Sequence, residues 1–279
     1  RSSLVTLAAG TTVNLDGYTQ AGANAIGALT LNTGASLLLR GGQYEVTGAT
    51  TSNGIIDLGS TSGELILSGG GTIVGAGALT GRGTLKVNAI SPTTLSISGA
   101  NAGFAATVSI DTDNTVELDN FKGLGTGNIS LAGLLDITGA TGGILSNAIT
   151  LTDTAAVITL DGSTGTGSGT LSGSGTLNLS GASVIDLTGS NSSLAGSLNI
   201  GGTSKLTAHK ADNVGSTHID IDTAAEFILD TANGVVWNLT NDLTGAGSLT
   251  KQGNGTVTIS QANSRTGVTN VNAGRLQLG

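Results

Sequence analysis

The chain has no cysteine, no methionine, a single proline, and aromatic side chains at only 2% of its 279 positions. Without cysteine nothing in it requires an oxidising compartment, which suits a chain that stays unfolded while it crosses membranes and suits many cytosolic proteins as well. With one proline and glycine on no three-residue period, a collagen-like triple helix is excluded. Charge is also scarce. Charged residues make up 10% of the chain, against about 25% in ordinary globular domains. Ten basic residues and a net charge of −8 argue against a phosphate-backbone partner and disfavour anionic lipid, both of which call for clustered Lys and Arg. No apolar run approaches the ~20 residues that span a bilayer as a helix. The first residue is Arg1, with no initiator methionine and no leader, so the sequence reads as a piece of a longer chain.

What is present is glycine, 47 residues of it, and a hydrophobic share of 38% built from Leu, Ile, Val and Ala. Mean hydropathy is positive, so a continuous core can form and disorder is not expected. The heptapeptide L-[ST]-G-x-G-[ST]-[LI] occurs at Leu67–Ile73, Leu79–Leu85, Leu171–Leu177 and Leu243–Leu249. The last three copies are each followed by a second element. Ser98-Gly-Ala-Asn101 leads to Val108-Ser-Ile110, Thr188-Gly-Ser-Asn191 to Leu198-Asn-Ile200, and Ser260-Gln-Ala-Asn263 to Val268-Thr-Asn-Val271. The structural repeat residues are therefore Gly81, Gly83 and Asn101; Gly173, Gly175 and Asn191; and Gly245, Gly247, Gly253, Gly255, Asn263, Gly267 and Gly274. The unit they define is about 20 residues long.

Between the glycines run short segments with strand alternation, such as Thr84-Leu85-Lys86-Val87, Thr176-Leu177-Asn178-Leu179 and Thr256-Val257-Thr258-Ile259. Gly, Asn, Ser and Asp at the joints tolerate positive φ or hydrogen-bond their own backbone. Helix is disfavoured by glycine at ~1 kcal/mol each. Hairpins prefer two-residue turns, whereas this pattern returns only after three short strands. The expected fold is all-β, a right-handed single-stranded parallel β-helix of roughly 13–14 coils. It is expected to run as one continuous solenoid over 1–279, with 205–241 the least repeat-like stretch and a possible loop excursion. Its narrow interior explains the scarcity of aromatics.

The segment 243–279 closely resembles the passenger-associated repeat of autotransporters. The resemblance rests on Leu249-Thr-Lys251, Gly253-Asn-Gly255-Thr-Val-Thr-Ile259, Ser260-Gln-Ala-Asn263, Thr266-Gly267 and Val271-Asn-Ala-Gly274-Arg-Leu276-Gln-Leu278-Gly279. Members of that family usually carry an aromatic two residues after the Asn, where this chain has Arg265. The resemblance implies a secreted or surface-displayed rod of a Gram-negative bacterium, exported through a C-terminal outer-membrane β-barrel outside this segment. Its repeats serve export and coil stacking in adhesins, toxins and enzymes alike, so fold analogy names no activity.

Few residues suggest chemistry. No Gly-rich segment completes a phosphate loop, no Asp follows the Gly clusters as calcium-binding coils require, and no cofactor is expected. Alternation in His218-Ile-Asp220-Ile-Asp222 places His218, Asp220 and Asp222 on one outer face, a metal candidate whose ~6.6 Å spacings favour a solvated face instead. Asp111/Asp113 and Asp220/Asp222 have the spacing of glycosidase acid/base pairs, but pectinase-type signatures are missing. Phe227, Trp237 and His209 lie in the stretch that departs from the repeat, where loops and binding sites tend to be placed. No catalytic residue is assigned. The expected role is structural and presentational, toward a host protein or glycan; a self-associating filament and a polysaccharide-active enzyme are the alternatives.

Overall fold

A computed structural model describes residues 3–22, 25–261 and 263–279. The chain is all-β, its parallel strands stacked as a β-solenoid of about 13 turns with about 21 residues per turn, one more than the repeat spacing indicates. Contacts divide it into two compact units, Arg1–Asp136 and Ile137–Gly279.

In the first unit the strands form three parallel ladders. One contains Leu4–Leu7, Ala28–Leu31, Thr50–Ser52, Gly71–Ile73, Thr94–Ile97 and Thr115–Leu118. A shorter one holds Thr12–Asn14, Ser36–Leu38, Ile55–Asp57 and Leu79–Thr80; the third runs from Thr19–Gln20 through Gln43–Val46, Glu64–Leu67, Thr84–Val87 and Thr107–Ile110 to Ile129–Leu131. Strand pairing puts like with like. Leu65, Leu85, Val108 and Ile129 share one inward column and Leu67, Val87, Ile110 and Leu131 the next, all buried. Each such side chain contributes about 1.5–3 kcal/mol by leaving water.

The second unit has a ladder through Val157–Asp161, Thr176–Ser180, Ser197–Ile200, His218–Ile221 and Leu243–Gly245. A second runs through Thr141–Leu145, Thr164–Gly167, Val184–Leu187, Lys205–Ala208, Glu226–Asp230, Ser248–Gln252 and Thr269–Val271. Val236–Leu239, Thr256–Ile259 and Arg275–Leu278 form a third. The stretch 205–241 makes no excursion. Three of its strands continue the first two ladders in register and Val236–Leu239 begins the third, with one short 3-10 turn at Ala211–Asn213. The repeat letters are missing there because its corners use other residues, while the inward alternation persists.

Candidate functional site

The heptapeptide is a corner. In each of its last three copies a strand ends on its Leu or shortly after, the chain bends through Gly-x-Gly, and a new strand starts at the following Thr or Ser. At Leu243–Leu249 both glycines lie against the preceding coil, a Cβ on Gly245 falling 2.1 Å from the Ile221 carbonyl oxygen, and Gly245 has a second need. Gly245 has φ +91°, a conformation L side chains rarely adopt, while a Cβ on Gly247 would sit 2.3 Å from the Asp222 carbonyl oxygen of the preceding coil.

The asparagine of the second element ties three coils together. Asn101 Oδ1 accepts from Leu79 N–H at 3.0 Å and its Nδ2 donates to the Gly123 carbonyl at 2.8 Å. Asn191 repeats this toward Leu171 N–H and the Asn213 carbonyl, at 2.7 Å each. Both amides are buried, so each bond answers a backbone group that water cannot reach. Asn263 differs: it is exposed, and its Oδ1 accepts from Arg265 N–H within its own turn. Ala262 of the same element lies outside the described residues.

The segment 249–278 carries three cations, Lys251, Arg265 and Arg275, and the first two bond to backbone carbonyls. Lys251 continues the inward column Leu187, Ala208, Leu229, and its ammonium is received by the carbonyls of Gln252 at 2.5 Å, Gly253 at 2.7 Å and Ala273 at 3.3 Å. Burial pulls this ammonium below the ordinary 10.5, partly offset by the charge of Asp230. Arg265, at the position where an aromatic is usual, donates from Nη1 to the carbonyls of Gly247 and Val268, both at 2.9 Å, and from Nη2 to Thr269 Oγ1. The guanidinium thus bonds across to the preceding coil as well as within its own.

The residues marked by sequence as metal or binding candidates are brought together only in part. His218 Nε2 lies 3.1 Å from Thr244 Oγ1, which donates to Asp220 Oδ1 at 2.6 Å. Asp222 falls past the strand end, in the turn that closes on Ala225. Among the described residues no group of three or more His, Asp and Glu side chains could hold a metal ion. Phe227 and Trp237 are core rather than binding residues. They are 0% and 2% exposed, because alternation puts them on the same face as Leu229 and Leu239. His209 is half-buried and clasps neighbouring coils, Nε2 at 2.7 Å from Asp186 Oδ1 and Nδ1 at 2.9 Å from the Asp230 carbonyl.

An open groove of about 280 Å³ lies beside His218, lined by residues that include Gly196, Ser216, Thr240, Asp242 and Gln261. Sequence reasoning missed this groove, whose residues lie one coil apart with no common motif. It also missed a column of buried serines, Ser163, Ser183 and Ser204. The backbone N–H of Ser163 donates to Ser183 Oγ at 3.0 Å and that of Ser183 to Ser204 Oγ at 3.2 Å. Asn213 and Asn241 are further corner amides, with Nδ2 donating to the Gly189 and Thr217 carbonyls, both at 2.8 Å. Spacings of 20–21 residues between the serines were the available signal.

Comparison with known proteins supports the export reading of the last coils. Residues 249–278 match the family model of the passenger-associated transport repeat. The chain is 30% identical over 227 residues to the uncharacterized lipoprotein YdeK of Escherichia coli K12, which covers 80% of this chain and 15% of that protein. The chain thus spans a small part of the length of this relative. No solved structure matches the chain significantly. No enzyme-specific family appears in these comparisons. A transport repeat folded into the closing coils of a parallel β-solenoid fits an autotransporter passenger domain.

Proposed function

We infer that this chain is a structural and presentation segment of an autotransporter passenger. It is exported across the outer membrane of a Gram-negative cell and holds an adhesive or virulence-associated surface outside it. The carrying observation is the transport repeat at 249–278, folded in register with the coils before it and anchored by the buried Lys251 ammonium. The low cation count, the absence of cysteine and the polar outer faces suit such a role. The lipoprotein name of the relative agrees with a cell-envelope setting.

The test places the chain between a secretion leader and an autotransporter barrel in Escherichia coli and measures its accessibility to protease added to intact cells. Digestion from outside is expected for the full chain and a marked loss of it when 249–278 is deleted. Periplasmic retention of the full chain, or equal display without the repeat, would overturn the reading.

A further inference from the structure

One outward column of the second unit is built only from hydroxyl, amide and carboxylate side chains. Thr159, Asn178, Asn199, Asp220 and Thr244 occupy one register position in successive strands, each half-buried, with the strand spacing of about 4.7–4.9 Å. Neighbouring rungs brace each other. Asn199 Nδ2 donates to Asn178 Oδ1 at 2.8 Å, and Thr244 Oγ1 to Asp220 Oδ1 at 2.6 Å. Such bonds fix the side chains in place while leaving lone pairs and amide hydrogens turned outward.

The outward columns beside it are more mixed in chemistry. Val157 opens the one through Thr176, Ser197 and His218. On the next sheet one column carries the Lys205–Glu226 ion pair and the other Ile228. The His218 groove adjoins the braced column through Thr244, and its volume is at the small end of ligand-binding clefts.

The chemistry of the two features selects a ligand class. Neither contains Lys or Arg, so sulfate and phosphate groups lack the guanidinium or ammonium partners they require. Asp220 and Asp242 repel anionic chains. The lining of the groove is mostly polar, which gives a peptide anchor no apolar seat there. What remains is an array of fixed donors and acceptors whose repeat is close to the length of one ring in an extended polysaccharide. We propose that this column and groove bind a neutral glycan chain lengthwise, with one sugar ring seated among His218, Asp242 and Gln261 and the following rings hydrogen-bonded along Asp220, Asn199 and Asn178. The proposal rests on the presentation reading above and gives it a ligand class. Trp237 and Phe227 are inside the core and supply no stacking, so each ring is held weakly and affinity comes from the number of rungs engaged.

The test titrates the isotopically labelled chain with neutral β-1,4-linked gluco-oligosaccharides of increasing length, followed by nuclear magnetic resonance. Oligogalacturonate serves as the anionic comparison. Expected are shifts at the Asn178 and Asn199 side-chain amides and at His218, and an affinity that rises with length. Asn199→Leu and Asp242→Ala are each expected to weaken binding about tenfold, as for a lost ligand hydrogen bond. Glu226→Gln, on another sheet, is expected to leave it unchanged. Absence of binding at every length, shifts dispersed over other sheets, or equal binding of oligogalacturonate would overturn the proposal. Surface display assayed on the same chain separates the readings: a displayed chain that binds no neutral glycan removes this inference and leaves the presentation role standing.

Discussion

The coils around Asn191 and Asn263 are written with related letters and built differently. Asn191 lies buried between two coils and satisfies one backbone group on each side. Asn263 is exposed and bonds within its own turn, while Lys251, through the Ala273 carbonyl, and Arg265, through that of Gly247, make the coil-to-coil bonds around it. The same motif is therefore worth different amounts in different surroundings. In a solenoid the energy of a residue resides in its nearest-neighbour interfaces, and a residue with two such interfaces counts for more than one bonded locally.

Substitution should expose this inequality. Asn191→Ala strands the Leu171 N–H and the Asn213 carbonyl and is expected to cost about 3 kcal/mol in urea denaturation, whereas Asn263→Ala should stay within about 0.5 kcal/mol. Equal losses would mean that burial between coils is not what sets the value. Lys251→Met removes the donor to three carbonyls and is expected to cost about 2 kcal/mol at neutral pH. It also carries a pH signature. Because the folded ammonium has a lowered pKa, the unfolded chain binds more protons as pH rises toward 10.5, so this group makes wild-type stability climb over that window. The climb should vanish in the Met variant, as a denaturation series at rising pH would reveal.

Smaller effects sharpen the same contrast. Ser183→Ala interrupts the buried serine column and leaves Ser163 N–H without its acceptor, for an expected loss of about 1 kcal/mol by thermal denaturation. On the solvated face Glu226 illustrates the other extreme. Burial works against its charge, but bonds from Thr250 and Lys205 hold its carboxyl below the ordinary 4.5. The stabilisation is present above that value and is lost as pH falls through the lower folded one. Glu226→Gln should remove this acid sensitivity and change stability by only about 0.5 kcal/mol, since Lys205 is half exposed.

Much of the architecture was legible from spacing alone. The heptapeptide and the trailing Asn set the coil length within one residue, and alternation placed Leu85, Leu177 and Val257 inward, where they lie. The same alternation also governs Phe227 and Trp237. Weighing it above the loss of repeat letters would have put both in the core. Both rings have smaller aliphatic partners in their columns: Phe227 stacks between Leu206 and Leu249, and Trp237 beside Val257. The groove was not legible, because it gathers residues from 195 to 261 that become neighbours only through stacking. Asn213 and Asn241 escaped notice because their flanking residues do not repeat those of Asn101 and Asn191, although the amide chemistry at the corner is shared.

The regular step from one coil to the next has a consequence for how the chain acquires its fold. Pairing joins residues about 21 positions apart from one coil to the next. The entropy of closing each coil is thus the same modest quantity, met again at every turn rather than once for the whole chain. Structure can spread by accretion onto a finished coil, each addition offering the next segment a ready-made edge, so the time to complete the fold grows with the number of coils and not with the search for a distant partner.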